Sequence, residues 1–105
     1  MRLLIVILLS AISADSHAAP TERQLQLLTV NCLQCHANAY TGAPVMGDPE
    51  VWQPILVQGK QQIMTHVVEG LRGMPPLGYC SACSEADLLT LSEVLAGQAL
   101  PEAAP

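Results

Sequence analysis

The chain has 105 residues and a formal net charge of −5, with four Lys and Arg against nine Asp and Glu, so it lacks the basic surface that nucleic acid requires and no nucleic-acid partner is expected. Half of its residues are hydrophobic but only 3% are aromatic: there is no Phe, and Tyr40, Trp52 and Tyr79 are its aromatic residues. One small domain so short of large flat side chains needs help to build a stable core.

In chain order, Met1-Arg2 gives a basic start, Leu3 to Ile12 an apolar run, and Ser16-His17-Ala18 a small-residue cleavage site. This pattern reads as an export signal over 1–18, followed by a single domain over 19–105. The apolar run is well short of the roughly twenty residues that span a bilayer, so no permanent membrane anchor is expected. An uncleaved N-terminal tether is the alternative. Export places the chain in the periplasm, where thiols meet oxidising conditions.

Thr21 and Gln24 form a capping box, after which Leu25, Leu28 and Cys32 fall on one stripe of a first helix. That helix runs into Cys32-Leu33-Gln34-Cys35-His36, a C-x-x-C-H motif, the attachment signal of a covalent c-type haem. Cysteines three apart share a helix face and can bond one porphyrin edge, while His36 swings under the ring to the iron. A buried porphyrin would also supply the missing apolar area, so the haem-free chain is expected to be largely unfolded.

Ala37 to Gly47 reads as a loop wrapping the ring edge. Asp48-Pro49 caps a helix, Pro54 restarts a short one, and Gly59 closes it. Ile63, Met64, Val67, Val68 and Leu71 give a further helix from Lys60, ended by Gly70 and Gly73. Ser84 with Asp87 caps the last helix, with Leu88, Leu91 and Leu95 inward and Gly97 as its stop. The segment from Leu100 to Pro105 is expected to fray. No period-two strand is visible, and the fold class is all-α.

An electron carrier needs a second axial ligand, because an open position invites oxygen chemistry. Met74 is the first candidate, since Gly73-Met74-Pro75-Pro76 is a stiff, extended segment that presents the sulfur. His66 and an open site are the alternatives, with Met64 read as core and Met46 as pocket wall. Cys80-Ser81-Ala82-Cys83 is followed by Ser84 rather than His, so it supports no second haem, and export should close it into a structural disulfide loop. A zinc ion held by Cys32, Cys35, Cys80 and Cys83 is the competing reading of the four cysteines.

Taken together, Cys32-Leu33-Gln34-Cys35-His36, Gly42-Ala43-Pro44, the Asp48 to Pro54 segment, His66, Gly70, Met74-Pro75-Pro76 and Cys80-Ser81-Ala82-Cys83 resemble the class I bacterial cytochromes c, subgroup cytochrome c-five. The resemblance runs from about Leu25 to Leu95. It implies an all-α fold with crossing N- and C-terminal helices around one haem c, His36 and Met74 as axial ligands, and a Cys80–Cys83 disulfide. It also implies the Pro44 carbonyl as acceptor for the His36 ring N–H, and Trp52 near a haem propionate. The chain departs from the subgroup at Leu77, where a basic residue is usual, and at Tyr79, where glycine is usual, which suggests a less charged docking surface.

The function expected is one-electron transfer between Fe(III) and Fe(II) in a bacterial redox chain, without enzymatic turnover, by a monomer or weak dimer. Redox partner proteins with a basic docking patch suit its acidic charge. A haem-based ligand sensor or small peroxidase with an opening axial site, and the zinc module, are the alternatives.

Overall fold

The computed structural model describes residues 19–102, and the expected export signal over 1–18 lies outside them. The described chain is helical: α1 (Glu22–Leu27), a π turn over Leu28–Cys32, α2 (Leu33–His36), α3 (Pro49–Leu56), α4 (Lys60–Glu69) and α5 (Glu85–Ala96), with short 3₁₀ turns over Ala39–Thr41 and Pro76–Tyr79. The one extended pairing among the described residues is the isolated bridge between Leu71 and Met74.

Side chains at the helix starts explain where the chain turns helical. Thr21 accepts from the Gln24 N–H while the Gln24 side chain reaches back to Thr21, and Ser84 and Asp87 repeat the arrangement at α5. Asp48 accepts from the Glu50 N–H, and Pro49 opens α3. Each reciprocal cap satisfies donors that a helix start otherwise leaves to water. Gly70 ends α4 and Gly97, at φ 75°, ends α5.

Three sequence expectations are corrected. Pro54 restarts nothing: it lies inside a continuous α3, where the Glu50 carbonyl it leaves without a partner belongs to an exposed residue. Residues 98–101 are docked, because Leu100 is buried, its N–H donates to Glu93, and the Pro101 carbonyl accepts from the Lys60 N–H, while residues 103–105 of the expected frayed tail lie outside the described residues. The first stripe is also broken. Leu28 enters the core but Leu25, one turn earlier in α1, is exposed, and from Leu28 on a π turn inserts one extra residue that rotates the chain after it by about 100°. Carbonyls around that turn are taken by side chains four residues on: Thr29 donates to Leu25, Asn31 to Leu27 and Gln34 to Val30.

The core joins Leu28 to Trp52 and Leu56 of α3, Ile63 of α4, Leu91, Leu95 and Ala96 of α5, and Leu100. At its edge, Arg23 and Gln24 of α1 both donate to Asp87 of α5, and Arg23 also donates to the Ala82 carbonyl in the loop before α5. The first and last helices are thus tied to each other and to the loop between Cys80 and Cys83. Their packing aims the motif that follows α1 at the middle of the molecule.

Candidate haem site

His36, the last residue of α2, is buried, with its ring Nδ1 2.8 Å from the Pro44 carbonyl. A carbonyl can only accept, so Nδ1 carries the proton and Nε2 is left as the nitrogen able to bind a metal. The same segment holds His36 by its backbone, since the Met46 N–H donates to the His36 carbonyl at 2.8 Å. It is itself anchored to α5 through the Gly47 N–H and the Leu95 carbonyl, 2.8 Å apart. Behind the imidazole stands the indole of Trp52, with centroids 6.1 Å apart and planes 26° from parallel.

Just before His36, Cys32 is half-buried and Cys35 exposed, and both are free thiols. Burial pushes the Cys32 thiol above its ordinary pKa. Cys80 and Cys83 are joined as a disulfide with Cα atoms 5.4 Å apart. That bond removes two of the four thiolates a zinc module would need, and among the described residues no three His, Cys, Asp or Glu side chains converge as a metal cluster.

Met74 is half-buried in a loop with little freedom. Its N–H and carbonyl both bond Leu71, closing a tight turn whose tip is Arg72 at φ 53°. Pro75 is extended, and the turn over Pro76–Tyr79 then packs against α4 and against the π turn that carries Cys32. The C-x-x-C-H motif and the methionine loop are therefore neighbours. Leu77, Gly78 and Tyr79 all have positive φ, at 60°, 56° and 64°. Glycine takes such a conformation without steric cost, which accounts physically for its usual place at position 79 in the subgroup. Here Tyr79 adopts it with its side chain largely exposed.

The other candidates sit elsewhere. Met64 packs on the core cluster, Met46 is exposed, and half-buried His66 has its Nε2 2.8 Å from the Gln62 amide nitrogen. The Trp52 N–H donates to the Val45 carbonyl at 2.8 Å. Spacing alone could not reveal this bond, because its acceptor is a backbone atom of an irregular loop.

Residues 19–93 match the family model described as cytochrome C oxidase, cbb3-type, subunit III. Cytochrome c5 of Azotobacter vinelandii is 32% identical over 59 residues, covering 54% of this chain and 71% of the relative. The chain belongs to the class I cytochromes c, in the c5 subgroup. Cytochrome c5 of Ectopseudomonas mendocina is 29% identical over 73 residues, covering 68% of this chain and 84% of that one. Cytochrome c-555 of Chlorobaculum tepidum is 28% identical over 72 residues, covering 65% and 67%. A solved structure titled as an electron transfer complex of nitrite reductase with cytochrome c aligns with TM-score 0.61 at 32% identity, over 71% of this chain and 93% of the matched one. The protein is accordingly an electron-carrying cytochrome with a covalently bound haem c. The donor set fits that group: two unpaired thiols, an adjacent buried imidazole with Nε2 free, and a thioether on a stiff loop.

Proposed function

We propose that this cytochrome shuttles single electrons between proteins of the periplasm, with Cys32 and Cys35 as the thioether attachments and His36 and Met74 as the two axial ligands of its haem. When bound, the haem supplies a one-electron Fe(III)/Fe(II) couple at an iron with no position open to substrate. The observation that carries the reading is the His36 ring held by the Pro44 carbonyl, directly after two unpaired cysteines. Pro44 fixes the tautomer and aims Nε2, and the Leu71–Met74 turn limits how far the sulfur can move. Such rigidity keeps the structural change accompanying each electron small. The soft thioether of Met74 favours the ferrous state and raises the potential relative to two histidines.

Residues 1–18 act in this reading as a cleaved export signal and 19–105 as one haem domain. Redox proteins are the partner class. Lys60 is ion-paired with Glu102 and Arg23 with Asp87, so the acidic surplus dominates the surface and favours a basic patch on the partner. No turnover of a substrate at iron is part of this function. Met74→Ala tests it: the weak far-red sulfur–iron absorption of the ferric protein should vanish, and the ferrous variant should bind carbon monoxide where the parent does not. Survival of the band would remove Met74 as the ligand, and carbon monoxide binding by the parent at neutral pH would favour a ligand-binding role.

A further inference from the structure

We infer that Trp52 is a positioning residue for His36, acting through the loop that receives the histidine's ring proton. This rests on the reading of His36 as an axial ligand. The Pro44–Gly47 segment is pinned at four successive residues: Pro44 by the His36 ring, Val45 by the Trp52 indole, Met46 by the His36 carbonyl, and Gly47 by Leu95. Two of these bonds grip His36 and the other two tie the grip to α3 and α5. The Val45 carbonyl also accepts from the Asp48 N–H, at 3.2 Å, where α3 begins. The peptide after Pro44 is thereby held from both sides, and its neighbouring carbonyl stays 2.8 Å from His36 Nδ1.

Trp52 contributes twice. Its N–H fixes Val45, and its ring backs the imidazole at a tilt of 26°, limiting rotation of the ligand plane. The indole is buried, so a donor deprived of Val45 would have no water to turn to. A firm carbonyl on Nδ1–H makes an imidazole more basic toward metal, which favours the ferric state. Loosening Val45 should therefore weaken the Pro44 bond and move the potential upward.

Trp52 is the single tryptophan of the chain, so residue-wide replacement with the isosteric benzothienyl-alanine removes the N–H while keeping the ring. In the unmodified holoprotein, NMR should detect a through-hydrogen-bond coupling from Trp52 Nε1 to the Val45 carbonyl carbon in both oxidation states. In the replaced protein, solvent exchange of the His36 ring N–H should accelerate at least tenfold, with a higher midpoint potential and the fold unchanged by circular dichroism. Absence of the coupling, with an indole resonance that instead follows propionate ionisation, would overturn the proposal. So would an unchanged exchange rate and potential in the replaced protein. Hyperfine-shifted His36 ring resonances in the ferric state report the ligand reading separately: without them that reading falls, whatever the Val45 coupling shows.

Discussion

Gly70→Ala should detach the methionine loop from its place without touching Met74. Gly70 has φ 86° and ψ 157°, a region that side-chain-bearing residues occupy at a cost of about 1–3 kcal/mol. A Cβ built there meets the Met74 carbonyl oxygen at 2.9 Å, the Pro76 nitrogen at 3.0 Å and Pro76 Cδ at 3.2 Å. None of these atoms ends a flexible side chain, so relief requires the backbone of residues 74–76 to move, at a further cost of about 1–3 kcal/mol. The sum is roughly 2–6 kcal/mol, and since about 1.4 kcal/mol is a tenfold change in an equilibrium, the undistorted loop should become a minor state. In the ferric holoprotein the far-red band should be strongly reduced and the melting midpoint lowered by at least about 10 °C. Binding of carbon monoxide by the ferrous variant gives a second readout. A variant that keeps the band, the midpoint and the closed iron would refute the account of how this loop is held.

Three other outcomes follow from the packing and charge. Asp87 accepts from the Ser84 backbone N–H, then from Gln24 and Arg23, and these bonds hold its carboxyl well below the usual carboxylate range. Its contribution is thus present above roughly pH 4 and is withdrawn as pH falls through the lowered folded value. Asp87→Asn should be less stable than the parent at pH 7, with the gap narrowing under acid; equal urea midpoints at pH 7 would contradict this. Leu91→Ala removes the most buried leucine of the core and should cost about 2–5 kcal/mol in chemical denaturation. A loss below 1 kcal/mol would mean that the haem, rather than α5, carries the packing there. Leu77→Lys places a cation beside the methionine loop and should change the electron-transfer rate with a redox partner and its dependence on ionic strength. An unchanged rate and salt slope would remove Leu77 from the docking surface.

Much of the architecture was legible because it is written in side chains near their own backbone. Thr21 with Gln24, Asp48 with Pro49, and Ser84 with Asp87 announce helix starts from three or four residues, and Gly70 and Gly97 announce ends. What stayed hidden depends on partners distant in sequence. Leu100 is buried only because α5 and the start of α4 offer it a place, and its N–H depends on Glu93. The π turn at Leu28–Cys32 adds a residue within an otherwise helical run, which the 3.6-residue period of the apolar positions does not reveal. Pro54 looked like a boundary, yet one lost backbone bond on an exposed face is less costly than ending α3 before Leu56 is buried. At the site, the motif puts Cys32, Cys35 and His36 forward as candidates, but the commitment of the Trp52 N–H to Val45 emerges only from the loop's three-dimensional path.

The most direct measurement is intact-mass and peptide mass spectrometry of the exported protein, with a reduced, pyridine-treated absorption spectrum of the same sample. The account predicts a polypeptide beginning near Ala19 that carries one haem, attached through both Cys32 and Cys35 and giving a c-type spectrum. A bare polypeptide, or a haem that organic extraction removes without breaking thioether bonds, would contradict it.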